Sequence, residues 1–263
     1  MTEEEIKALV IKELVKQLTG PVYNDGLKPG VSQVGKALET IGKFGNTILT
    51  PISMLNDGAS YIREKNALKL EHKLKQIEAQ NLKEINPTIG VPVLRKLEYT
   101  EDEELVEMYI NLLSRAADES NEHLSHPSFA NVIANLSTDE AKILKFIYDE
   151  QIGICTKTIR LRYNDGTYSD HQHDTTIFEI KDVIKFKSNM KVYLANLSSL
   201  GLIKAYGIPV GLPHFQEIQD FLEPTKEALL QEKQNIRSSE FTQKFYDTTE
   251  FGKLFLKCCV PKE

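Results

Sequence analysis

Residues 100–148 read TEDEELVEMYINLLSRAADESNEHLSHPSFANVIANLSTDEAKILKFIY, and three consecutive helices can be placed in them with their caps. Thr100 and Glu103 have the spacing of a capping box, in which each side chain satisfies the other's free backbone N–H. Leu105, Met108, Tyr109, Leu112, Leu113 and Ala116 follow at helical steps and predict one buried stripe. His126-Pro127 opens the second helix, with proline where its missing N–H costs nothing. Phe129, Val132, Ile133 and Leu136 are its expected buried face. Ser137 and Glu140 form a second capping box, followed by Ala141, Ile143, Leu144 and Ile147. Short amphipathic helices are marginal alone, so the three faces are expected to bury one another. The stretch reads as a core and carries no catalytic constellation.

Downstream the hydrophobic period changes. Residues 156–163 alternate, Asn164-Asp-Gly166 supplies a turn, and residues 175–180 alternate again, which predicts a β-hairpin with a loose tip. Asp182 is placed to cap a helix, and another runs from about Ser188 through Tyr193, Leu194, Leu197 and Leu200 to Gly201, a residue suited to a left-handed stop. Leu202 to Tyr206 reads as a strand, residues 215–238 as a polar, helix-favouring insertion, and Phe241 to Thr249 as a returning strand. Phe251, Leu254, Phe255 and Cys258 then share one face of a short closing helix. This order resembles a winged helix with an enlarged wing, in which Tyr193–Leu200 takes the recognition position.

Upstream, Thr2 and Glu5 cap a short helix ending at Gly20-Pro21. Val31 to Leu55 then places apolar residues at three- and four-residue steps, among them Val34, Leu38, Ile41, Phe44 and Ile48. Gly35, Gly42, Gly45 and Pro51 interrupt that segment, each glycine costing up to ~1 kcal/mol in a helix. Two readings stand: a helix packed closely on its neighbour, or an amphipathic face that docks on a partner or a lipid surface. Its polar face holds only Lys36 and Lys43, which weakens the membrane version. From Asp57 to Ile85 the composition favours one long exposed helix, and Asn86-Pro87 with Gly90-Val-Pro92 breaks it. The expected domains are therefore 1–90, an amphipathic helical region that includes a helical hairpin, and 91–263, the three-helix core plus the winged-helix-like part. The fold class is mostly α with a minor α+β component.

At 263 residues, 41% hydrophobic and 27% charged, the chain has the composition of a globular protein of one large or two modest domains. A net charge of −6 argues against a protein devoted to nucleic-acid backbones. The hairpin and the expected recognition segment nevertheless carry a local basic excess, in which Lys185, Lys187 and Lys191 are candidate nucleic-acid contacts. Cys155, Cys258 and Cys259 make no disulfide framework and fit a reducing cytoplasm, and of the adjacent pair one is expected in the core and one at an edge. The acidic start and the lack of an eighteen-residue apolar run point to a chain without a signal peptide or membrane span.

Asp170-His-Gln-His-Asp174 is the one clustering of metal-ligand types. On a regular strand His171 and His173 would share a face. They fall at the expected hairpin tip with no further ligands at suitable spacing, so no metal is expected. His123 and His126 lack a nucleophile or acid partner, and phosphate loops, nucleophile elbows and zincin motifs are missing. No enzyme activity and no cofactor are expected.

Several stretches together resemble the abortive infection alpha family of prokaryotic proteins. They are Tyr23 to Pro29, Val34 to Leu38, Ile48 to Ile52, Glu103 to Leu113, His126 to Phe129, Leu136 to Ala141, Asn196 to Leu202 and Thr249 to Phe255. The likeness runs from about residue 20 to residue 259. It implies a phage-defence role. Taken with the missing active-site constellation and the amphipathic Val31–Leu55 segment, it leads to the expectation of a cytoplasmic protein that acts through a protein partner, with self-association, a membrane surface and nucleic acid as further possibilities. It carries over no catalytic residues. The runner-up reading is a DNA-binding winged-helix regulator.

Overall fold

The computed structural model describes residues 57–78, 80–151, 153–175, 180, 183–206 and 214–261. The helix expected at residues 2–18 and the Val31–Leu55 segment, with its candidate docking face of Val34, Leu38, Ile41, Phe44 and Ile48, lie outside them. So does the expected cap at Asp182. Among the described residues there are eight α-helices and one four-stranded antiparallel sheet, a mostly helical α+β chain. It divides into two compact units, Met1–Ala134 and Asn135–Glu263. The break expected near residue 90 falls inside the first of these. The third helix of the 100–148 stretch opens the second unit instead of completing a three-helix core.

In the first unit, α1 (Asp57–Leu74), α2 (Pro87–Leu97) and α4 (Phe129–Ala134) pack against α3 (Glu103–Ala116). Helix α3 buries Met108, Tyr109, Leu112, Leu113 and Ala116, while Leu105 is only half-buried. Its N-cap is Asp102, whose carboxylate accepts from the Leu105 N–H at 3.1 Å, and not Thr100. The Thr100 hydroxyl donates instead to the Lys96 carbonyl at the end of α2.

The long helix expected from Asp57 to Ile85 stops at Leu74. Beyond it Leu82 forms a β-bridge with Asp118, the Lys83 N–H donates to Ala117 O and the Glu119 N–H to Asn81 O. Backbone groups committed to that pairing cannot continue a helix. Asn86-Pro87 is a start and not a break: Asn86 caps α2 by accepting from the Thr88 N–H, and Pro87 sits in the first turn. Buried Asn66 of the charge-rich α1 donates to the Leu97 and Thr100 carbonyls and closes the other end of α2. Helix α4 begins at Phe129, two residues later than Pro127, and buries Phe129, Val132 and Ile133 as expected.

The second unit starts with α5 (Thr138–Glu150), whose Ser137–Glu140 capping box is formed. Strands β1 (Ile154–Tyr163) and β2 (Tyr168–Thr175) make the hairpin around Asn164-Asp-Gly166, where Gly166 takes φ +86°. The second strand lies earlier than the residues 175–180 expected for it, so the histidine run belongs to the strand and not to the tip. Helix α6 (Met190–Ser199) leads through Gly201, at φ +73°, to β3 (Ile203–Tyr206). The insertion forms α7 (His214–Glu232), β4 (Ile236–Thr248) returns, and α8 (Glu250–Cys259) closes the unit. The strand order is β2-β1-β4-β3.

Alternation along β1 gives the sheet two different faces. Ile159 and Leu161 face α7, which places Leu222 on them with half-buried Leu229, Ile236 and Phe241 around it. Lys157 is buried at 1% exposure on this side, with its ammonium 5.1 Å from the centre of the Phe241 ring. The insertion is thus a cover for one side of the sheet.

Candidate functional site

Three of the stretches that carry the family likeness converge in the second unit. Asp139, in the first turn of α5, is buried and accepts three hydrogen bonds: from the Lys185 and Phe186 N–H groups at 2.8 and 2.9 Å, and from the Tyr193 hydroxyl at 2.8 Å. Burial pushes its carboxyl upward, but these donors outweigh that and hold it below the usual carboxylate range. Glu140 completes the capping box and accepts from the Asn196 amide, which also donates to Asn135 O. Thr249 caps α8 by accepting from the Gly252 N–H, while its hydroxyl donates to Gly201 O and its own N–H to Leu202 O. A Cβ on Gly252 would lie 1.9 Å from Leu202 O, so this contact requires glycine. Residues 136–141, 196–202 and 249–255 therefore form one clasp of caps and close backbone contacts that fixes α6 between α5 and α8.

The sheet face opposite α7 is polar and borders a cleft of about 770 Å³ against α6. Thr156, Thr158 and Arg160 of β1 lie beside Thr242, Lys244 and Tyr246 of β4. Lys204 comes from β3, and α6 contributes Lys191, Leu194 and Ser198. Arg160 donates through Nε and Nη2 to both oxygens of Asp170, and its guanidinium lies 4.2 Å from the Tyr168 ring centre. The Arg160 hydrogen bonds hold the Asp170 carboxyl below the usual range, and the charges of Lys191 and Lys244 add to this. Arg160 is thereby committed to its carboxylate.

The candidate nucleic-acid contacts separate in this geometry. Lys185, Lys187 and Lys191 are all exposed, but only Lys191 borders the cleft. Lys185 uses its N–H on Asp139 and holds its ammonium over the Phe186 ring. Lys187 begins the short 3-10 turn before α6. Lys204, Lys244 and Ser198 were not singled out in the sequence; the two-residue spacing of Thr242, Lys244 and Tyr246 was the available signal.

His171 bonds to Ser169, which also meets the Tyr163 hydroxyl. His171 and His173 oppose the consecutive residues Ile159 and Thr158, because the register slips there. Among the described residues no group of three or more metal-ligand side chains is placed to hold an ion. His126 accepts from the Ser128 N–H and lies against Phe129 at the entry to α4. Cys258 and Cys259 are both buried, so neither takes the edge position expected for one of them. Burial raises the Cys259 thiol well above its ordinary range, away from nucleophilic character.

The described chain is thus a helical unit followed by a unit built on a four-stranded antiparallel sheet. The sequence profile of the abortive infection alpha family matches residues 60–259, and the chain belongs to that family. No curated protein matches the chain. An uncharacterized protein of the hydrocarbon-degrading marine bacterium Alcanivorax borkumensis SK2 has a similar solved structure, at 14% identity and TM-score 0.33, covering 53% of this chain and 94% of that one. No helix among the described residues is long and apolar enough to cross a membrane.

Proposed function

We propose that the protein limits phage growth by abortive infection, acting in the cytoplasm through a protein partner and not through catalysis. The observation that carries this reading is the family match over residues 60–259. It is supported by the work done by the residues behind the likeness. Asp139, Glu140, Asn196, Thr249 and Gly252 all serve as caps or close contacts within the fold. The Val34–Ile48 face is the sequence's candidate for the partner contact. Cells with and without the expressed protein, challenged by a panel of phages, test the defence role. Pull-down from infected cells tests the partner, with recovery of a second copy of the chain reading out self-association. Equal plating on both strains would remove the proposal.

A second reading, a DNA-binding winged helix, is favoured by one feature. Strands β1, β4 and β3 lie in that antiparallel order, and α6 immediately precedes β3, as a recognition helix precedes its wing. It predicts duplex binding at ~50 mM salt that weakens as salt rises, and weakens again in Lys187→Glu combined with Lys191→Glu. Absence of binding at that salt ends it.

A further inference from the structure

The cleft between α6 and the polar sheet face is chemically divided. One part is cationic: Lys191 of α6 and Lys244 of β4 are exposed and have no ion-pair partner among the described residues, while Lys204 turns its ammonium to the Tyr206 ring on the other face of the sheet. A second part is apolar, formed by Leu194, Ala195, Ile203 and Ala205, and Tyr246 is the aromatic ring of the lining. Between them stand hydroxyls. The buried oxygen of Ser198 has no hydrogen-bond partner among the described residues, although a buried hydroxyl ordinarily finds one. The sole carboxylate of the lining, Asp170, is held by both arms of Arg160, which leaves Lys191 and Lys244 in excess over it.

We infer that this cleft binds a small phosphate-bearing ligand of the nucleotide class. The phosphates are held by Lys191 and Lys244, the Ser198 hydroxyl donates to the ligand, and the ring lies against Tyr246 and Ala205. Two ammonium groups on the same side as Asp170, those of Lys191 and Lys244, match an anionic phosphate chain, since each adds a charge-assisted hydrogen bond. The apolar wall and single aromatic ring suit a base and would be idle against inorganic phosphate. A volume of about 770 Å³ is within the range of small-ligand sites. The clasp around Asp139 and Asn196 holds α6 in place, so the cleft is preformed and little ordering cost opposes binding. This inference does not depend on the defence reading or on the identity of a protein partner.

Calorimetric titration of the full chain with ATP, AMP, adenosine and inorganic phosphate is the test. ATP is expected to bind more tightly than AMP, and both more tightly than either adenosine or inorganic phosphate. Lys191→Glu combined with Lys244→Glu should weaken ATP binding at least tenfold. Both lysines are exposed, so the melting temperature should stay within a degree or so of wild type. Lys233→Glu, an exposed charge reversal beyond the end of α7, should bind ATP like wild type. Three results would each overturn the inference: no binding of either nucleotide, inorganic phosphate binding as tightly as ATP, or unchanged ATP affinity in the double variant.

Discussion

At the scale of single residues, Asp139 ties α5 to the segment before α6 and to α6 itself. Its carboxylate accepts from two backbone N–H groups and a phenol, and a buried donor left without its acceptor costs about 1–3 kcal/mol. Asp139→Ala is therefore expected to destabilise the chain by about 3 kcal/mol, read in a urea melt. The pH dependence has a definite sign. The folded-state carboxyl lies below its unfolded value, so its contribution is complete above the unfolded pKa of ~3.9 and fades as pH falls through the lower folded value. The stability gap between wild type and Asp139→Asn should stay constant from pH 7 to about 5 and shrink in more acid solution. A gap that widened on acidification would contradict this account of the site. Gly252 makes a different demand. Alanine there puts a methyl group into the Leu202 carbonyl, a backbone atom that cannot rotate away. Gly252→Ala should cost about 3 kcal/mol, and an unchanged melting temperature would show that the α8 contact is looser than described.

At the scale of elements, α7 is an insertion with a structural task. It covers Ile159 and Leu161 with a fully buried leucine, so Leu222→Ala should lose about 3 kcal/mol in an unfolding titration. A loss below ~0.5 kcal/mol would mean that the sheet holds without its cover. Elements whose signals are local were legible in the sequence. The Ser137–Glu140 box, the Gly201 stop and the turn at Asn164-Asp-Gly166 all occur where the chain announces them, and so does helix α8, although it buries Leu256 and Cys259 with Phe255 and Cys258 and leaves Phe251 and Leu254 half-buried. Elements decided by distant partners were not. Residues 75–86 favour a helix by composition, but pairing with residues 117–119 holds them out of one. Helix α2 was hidden because Gly90 and Pro92 read as breakers, although Asn86-Pro87 is an ordinary start. Strand β2 has no apolar alternation to reveal it. It is an edge strand, held by its ladder to β1 and by the Arg160–Asp170 pair. The clasp was visible only as familiar stretches, and the cleft hardly at all, because its lysines come from α6 and β4, far apart in the chain.

At the scale of the whole molecule, the signature stretches of the second unit serve the fold, which leaves its surfaces free to differ in what they bind. In the first unit the same holds for residues 103–113, which form the buried helix α3, and for 126–129, which shape the entry to α4. Family membership and these structural roles together support the proposed part in phage defence. The most direct measurement is the plating efficiency of a diverse phage panel on a host expressing the chain, compared with the same host carrying Asp139→Ala at matched protein level. The account predicts at least a tenfold drop in plating for some phages with the wild-type chain, and its loss when the clasp is opened. Equal plating of every phage on the wild-type and empty-vector hosts would contradict it.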